Sequence, residues 1–165
     1  MKRSDVIRIL WRCFLFCLIC VILLTYVYAI CKVPSGSMEP TIRTRSFILA
    51  LRLPYIISDP TPQVGDIIVF RSHLPGDERL LLKRVIGLPG DTIEIHDGHV
   101  YRNGVVLDEP YLTQEGATYA PWAAYTVPDA KLMVLGDNRG NSRDSRYWRD
   151  PYVPVDAVWG RVLSF

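Results

Sequence analysis

The first 31 residues contain neither glycine nor proline; all 11 glycines and all 12 prolines lie beyond them. Residues that break helices are thus confined to the larger part, and the chain divides near Lys32 into an uninterrupted helix candidate and a turn-rich body. The body in turn lacks cysteine, since Cys13, Cys17, Cys20 and Cys31 all precede it. That excludes a disulfide framework. The i, i+4, i+7 spacing of Cys13, Cys17 and Cys20 reads as small polarizable side chains packing on one helix face rather than as a metal site. Histidine is scarce: His73 falls in a polar stretch, and His96 and His99 flank an Asp97-Gly98 turn. No H-E-x-x-H, P-loop or G-x-G-x-x-G is present, so no metal and no cofactor are expected. Residues 32–165 also lack an excess of either charge, with 15 basic residues against 16 acidic ones. A nucleic-acid partner therefore has no electrostatic footprint there.

What the N-terminal part does contain is "CFLFCLICVILLTYVYAIC", 19 residues from Cys13 to Cys31 without a charge. At about 1.5 Å per residue this reaches about 28 Å as a helix, close to the thickness of a bilayer core. Lys2, Arg3, Arg8 and Arg12 precede it against the single Asp5, and basic residues favour the cytoplasmic side. The spacing predicts a cytoplasmic tail (1–12), a transmembrane anchor (13–31) and an extracytoplasmic domain (32–165), single-pass in the cytoplasmic membrane. A buried core helix would need more protein around it than the body supplies. A cleavable signal peptide has some support in Val27-Tyr28-Ala29, whose spacing suits a cleavage site, but the apolar run exceeds the usual ~7–15 residues. A lipoprotein site at Cys31 conflicts with the bulky Ile30 before it. The reading is a retained anchor.

The body is expected to be mainly β. "FILALRL" (47–53), "DIIVF" (66–70), "RLLLKRVIG" (79–87), "TIEI" (92–95), "HVYR" (99–102), "KLMVL" (131–135) and "AVWGRVLSF" (157–165) have strand composition. Asp97-Gly98 and Asn103-Gly104 are strong hairpin signals and predict a meander from about 92 to 107. Residues 54–64 and 108–130 read as loops or irregular strands, with apolar residues such as Ile56, Ile57, Trp122 and Tyr125 resting on lipid or packed beneath a loop.

Three segments can carry chemistry. In "PSGSMEPT", Pro34 and Pro40 restrict the backbone and Gly36 frees it, which defines a bend able to present a serine. A serine attacks only with a base in reach and donors for the oxyanion. In "LLLKRVIGLPGD", strand alternation places Lys83 on one face with Leu81 and Val85. It either snorkels to water or, desolvated, becomes a neutral amine able to act as a base. "GDNRGNSRDSRYW" (136–148) is either a hydrogen-bonded turn or the source of a hydroxyl for that amine; spacing alone leaves both open.

Together, "PSGSMEPT", "GDIIVF", "KRVIGLPGD" and "GDNRGNSRDSR" resemble, in order and approximate spacing, the type I (leader) signal peptidases, membrane-anchored Ser-Lys proteases, and the likeness covers nearly the whole chain. The resemblance implies a compact all-β domain of the signal-peptidase/repressor type, an endopeptidase acting on signal-peptide-bearing preproteins beside the protein export machinery. It implies Ser37 as nucleophile and Lys83 as general base. Ser35 would assist the Ser37 N–H in binding the oxyanion, Ser142 would orient Lys83, Asp144 and Arg146 would form a supporting ion pair, and Met38 would lie in the substrate groove. Cleavage is expected after small residues at −1 and −3. Two departures stand out: Arg45-Ser46 replaces the Gly-Asp of many relatives, and the 44 residues between Asp91 and Gly136 leave no room for a large inserted second domain. Alternatives are a mitochondrial inner-membrane peptidase with the same dyad and a non-catalytic anchored binding domain. The endoplasmic-reticulum enzyme fits less well because its family uses His at the Lys83 position, and self-cleaving repressors carry a DNA-binding domain where this chain has an apolar helix.

Overall fold

A computed structural model describes residues 3–53, 55, 61–113, 117–121 and 124–164. Ile56, Ile57 and Trp122, weighed above as lipid-facing residues, lie outside the described residues.

The apolar N-terminal run forms two elements. Helix α1 spans Arg3–Ile22 and continues through a wider turn, Leu23–Val27, after which Tyr28–Lys32 is strand β1. Ser4–Val27 is long and apolar enough to cross a membrane, with a mean hydropathy of 2.5 and no buried share. The charge-free run continues four residues past this span, to Cys31. There Tyr28, Ala29, Ile30 and Cys31 gain ladder hydrogen bonds by pairing with β2 (Phe47–Leu51). Arg52, just after β2, closes the junction. Its backbone N–H donates to Val27 O at 2.8 Å and its guanidinium to Thr25 O at 2.8 Å. These contacts satisfy the carbonyls a helix end leaves free, and place a cation where the helix dipole is negative.

The remaining strands are β3 (Ile67–Arg71), β4 (Leu80–Gly87), β5 (Thr92–His96), β6 (His99–Arg102), β7 (Val105–Val106), β8 (Ala124–Thr126), β9 (Lys131–Leu135), β10 (Tyr152–Pro154) and β11 (Val158–Ser164). A seven-stranded antiparallel sheet runs β1-β2-β11-β3-β4-β9-β10, and a four-stranded sheet runs β7-β6-β5-β8. All seven predicted strands form within a residue or two of their expected bounds. The β5-β6-β7 meander also forms, with φ of 52° and 80° at Asp97 and Gly98, and 53° and 77° at Asn103 and Gly104. Such paired positive φ values are what a two-residue hairpin turn requires. β8 and β10 are three-residue edge strands inside segments rich in Pro, Asp and Ala, too short for an alternating pattern to reveal.

β3 is buried along Ile67–Phe70 because both faces of the large sheet are covered there. Ile68 and Phe70 join Val85, Leu132, Val134 and Trp148 in one cluster, while Ile67 and Val69 join Met38, Ile42, Ile48 and Ala50 in another. A third cluster, with Ile86, Ile93, Val100, Tyr125 and Leu135, joins the two sheets. Such double coverage explains why "IIVF" is continuously apolar rather than alternating. No large second domain is present among the described residues.

At the departure noted above, Arg45 adopts φ 67°. Its N–H donates to Val33 O at 2.8 Å and the Ser46 N–H to Arg43 O at 3.2 Å. The left-handed turn is therefore kept, with an exposed arginine in the place glycine favours. A non-glycine residue there costs about 1–2 kcal/mol, partly offset by the lower chain entropy of the unfolded state. Arg45→Gly is expected to raise Tm by about 2–4 °C, read by thermal unfolding; an unchanged or lower Tm would contradict the strain.

Candidate active site

The "PSGSMEPT" segment lies in a loop closed at its base by the Val33–Ser46 and Arg45–Val33 backbone bonds, at 2.9 and 2.8 Å. Met38 and Ile42, 0% and 1% exposed, are its apolar anchors. Within it the Glu39 N–H donates to Gly36 O at 3.1 Å and the Ile42 N–H to Met38 O at 2.9 Å. The Glu39 carboxylate accepts from the Thr44 N–H at 3.0 Å and hydroxyl at 2.6 Å. Ser37 is thus carried on a short, multiply bonded bend. Met38, expected in the substrate groove, has no exposed surface and packs beneath the bend.

β4 brings the lysine. From Lys83 to Gly87 the strand is buried, and Lys83 pairs in register with Ile68. Lys83 is only 5% exposed, yet its Nζ stands 2.8 Å from Ser37 Oγ and 3.0 Å from Leu82 O. Burial pushes its pKa down from 10.5 to about 8; the carboxylates of Asp144 and Asp137 hold it up, and Arg146 lowers it further. Desolvation wins. The amine is neutral in a fraction of molecules near pH 7, and a neutral amine at this distance can take the serine proton.

A third segment locks the pair from behind. The Asn138 N–H donates to Ser37 O at 3.0 Å and its side-chain amide to Gly36 O at 3.0 Å. Gly136 sits against the same backbone: a Cβ there would meet Ser142 Oγ at 2.2 Å and Ser37 O at 2.5 Å. Asp144 and Arg146 form a buried two-point pair, both bonds at 2.9 Å, and Asp144 also accepts the Gly136 N–H at 2.9 Å. Two further pairs flank it. Arg84 binds Asp137 at 2.8 and 2.6 Å, and Arg139 binds Glu109, with one contact at 3.0 Å. Arg146 also donates to Arg139 O and Tyr119 O, at 2.9 and 3.0 Å. Paired and hydrogen-bonded in this way, buried charges hold the loop in one arrangement.

The structure therefore brings together Ser35, Ser37, Lys83, Ser142, Asp144 and Arg146 from segments up to 111 positions apart. Ser35 Oγ is 3.5 Å from Ser37 Oγ. Ser142 is buried beside Gly136, but its hydroxyl finds no hydrogen-bond partner among the described residues, so no bond to Lys83 is made in this structure. Sequence reasoning missed Gly136, Asn138, Arg84–Asp137 and Glu109–Arg139. The first two lie in a segment already singled out, whereas Glu109 comes from a stretch read only as loop. No group of His, Cys, Asp and Glu able to hold a metal ion occurs among the described residues.

Helix, sheets and serine–lysine contact together define a class, that of β proteins carried on one apolar helix and built around a hydroxyl facing a buried amine. Comparison with known proteins narrows it. The family model described as signal peptidase, peptidase S26, matches residues 6–165, and the chain belongs to that family. It is 39% identical over 147 residues to a probable signal peptidase I-2 of Synechocystis sp., covering 84% of this chain and 63% of that protein. Over 165 residues it is 33% identical to a signal peptidase I of Pseudomonas aeruginosa, covering 77% of this chain and 57% of that one. The matches thus span less than two thirds of either relative. Among solved structures, a signal peptidase I from Enterococcus faecalis matches with TM-score 0.53 and 39% identity, over 64% of this chain and 98% of that chain.

Proposed function

We propose that the chain is a serine endopeptidase that removes N-terminal signal peptides from exported preproteins at the outer face of the cytoplasmic membrane. The observation that carries this reading is the 2.8 Å contact between Ser37 Oγ and a buried Lys83 whose pKa is pushed down to about 8. Neutral Lys83 takes the Ser37 proton as Oγ attacks the scissile carbonyl. The oxyanion is met by the Ser37 N–H and the Ser35 hydroxyl, and the lysine then passes its proton to the leaving amine as the C–N bond breaks. Water, deprotonated in turn by Lys83, hydrolyses the acyl ester and frees Ser37. Ser142, whose buried hydroxyl has no partner among the described residues, acts as a positioning residue for the amine, and the Asp144–Arg146 pair holds its loop.

The substrate side is supported by an open strand edge. β3 pairs with β4 from Leu80 onward, but β9 covers β4 only from Arg84. Leu80–Leu82 are therefore left without a β9 partner among the described residues, with Leu82 O engaged by Lys83 Nζ, and an extended peptide can add along this edge as a strand. In an extended peptide the −1 and −3 side chains share a face, so both meet the same protein surface, and small residues fit there.

The test is processing of one preprotein by the purified full chain. Cleavage after Ala at −1 is expected, with none by Ser37→Ala and none when −1 is made bulky; equal rates for small and bulky residues would overturn the specificity. Lys2, Arg3, Arg8 and Arg12, ahead of the charge-free run, support an N-terminus inside and the β body outside. External protease added to spheroplasts should digest the body, and protection until lysis would overturn that orientation.

A further inference from the structure

A cleft of about 530 Å³ opens beside the serine bend, within the ~300–1,000 Å³ usual for ligand sites. Glu39 and Pro40 form one wall, Leu112, Ala117 and Tyr119 another, and Asn138 to Gly140 the floor. The geometry points to a cation-binding subsite on the leaving side of Ser37, in which the Glu39 carboxylate holds an ammonium group of the segment downstream of the cleaved bond. This rests on the peptidase reading above.

Three observations carry it. First, position: Ser35 and Leu80–Leu82, which would hold the acyl side, do not line the cleft, and it reaches the serine bend through Glu39, two residues after Ser37, and through Asn138, whose N–H donates to Ser37 O at 3.0 Å. A chain laid along the β4 edge and cut at Ser37 leaves past Glu39. Second, charge. Asp137 is neutralised by Arg84 and Arg139 by Glu109, leaving Glu39 as the one unpaired charge among the described lining residues. Arg43 adds a weak field but lies exposed and outside the lining. Only Oε1 of Glu39 is engaged, by Thr44, and Oε2 accepts no hydrogen bond among the described residues. Oε2 lies over Gly36, where a Cβ would stand 3.1 Å from it. Third, the opposite wall is built rather than loose. Thr118 Oγ1 accepts from Arg139 at 2.6 Å and Tyr119 O from Arg146 at 3.0 Å, while the Tyr119 side chain stays 69% exposed as an aromatic face for a peptide.

The ammonium has two sources, a lysine side chain in the intact substrate or the α-amine released by cleavage. Peptides identical up to the cut and carrying Lys, Gln or Glu within the next three residues separate the first; the released peptide with a free or an acetylated amine, used as an inhibitor, separates the second. Lys is expected to exceed Glu about fivefold in kcat/KM, as a partly screened ion pair allows, with the ratio shrinking as salt is added. Glu39→Gln keeps an acceptor for Thr44 and should bring the ratio within about twofold. If substrate charge has no effect but the free-amine product inhibits more strongly than the acetylated one, and Glu39→Gln removes that difference, the α-amine is the ligand and the subsite stands. Cleavage with neither effect overturns the subsite alone. Failure of the wild-type protein to cut any of the peptides overturns the peptidase reading and the subsite with it.

Discussion

Lys83→Arg is expected to lose at least about a thousandfold in kcat/KM on a preprotein substrate, because guanidinium keeps its proton at every usable pH and cannot take one from Ser37. Arginine is also larger than the site, so Lys83→Met serves beside it: similar in volume, uncharged and without a base. Both variants should be equally inactive, and Lys83→Met should be the more stable. The stability difference has a defined pH window. Lys83 has its pKa lowered from 10.5 to about 8 by folding, so between those values the unfolded chain binds more protons than the folded one. Stability therefore rises with pH across that window, by about 3 kcal/mol in total, and lies at its lower plateau below pH 8. Denaturant unfolding at several pH values should show the rise in wild type and not in Lys83→Met. Substantial activity in folded Lys83→Met would remove the lysine from the chemistry.

Gly136→Ala is the second large effect. Its Cβ would overlap Ser142 Oγ at 2.2 Å and the Ser37 carbonyl oxygen at 2.5 Å. The second of these is backbone, which cannot swing away as the end of a flexible side chain can. Relief requires the 136–146 loop to retreat from the serine bend, breaking the Asn138 contacts to Ser37 O and Gly36 O at 3.0 Å each. An overpacking cost of about 1–3 kcal/mol or more is expected, with kcat reduced at least about a hundredfold, since an ångström of displacement between reacting groups costs that much. Gly140→Ala, in the same loop with no atom within 4 Å of the added carbon, is the matched control. Similar activity in the two variants would contradict the close approach at Gly136.

The contrast between these two glycines shows what the sequence could and could not reveal. Both stand in "GDNRGNSRDSR", and nothing local marks one as pressed against a serine about a hundred positions away. The strands were legible because they are half or wholly buried and rich in Ile, Val and Leu, and the hairpins because Asp-Gly and Asn-Gly accept positive φ. Where the apolar run ends as a helix was not legible: Tyr28 to Cys31 are as apolar as what precedes them, and only the availability of β2 as a partner makes them strand. The bend, the lysine strand and the polar loop were each ambiguous alone. Their order along the chain resembled one family, and the fold brings them into contact. The ion pairs Arg84–Asp137 and Glu109–Arg139 join residues 53 and 30 positions apart. No periodicity records such pairings. Ser142 is a different case: the resemblance implied a hydrogen bond from it to Lys83, whereas its buried hydroxyl makes no bond among the described residues.

The central claim is that Lys83 acts as a neutral base because burial holds its pKa low. The most direct measurement is the pH dependence of kcat/KM for the purified full-length chain on one preprotein, which reports the free enzyme's essential groups. Deprotonation creates the active form, so the rate should climb tenfold per pH unit on the acidic side and bend over at an apparent pKa of about 8. A limb that climbs on toward the ordinary lysine value of 10.5, or a rate that does not change between about pH 6 and 9, would contradict it.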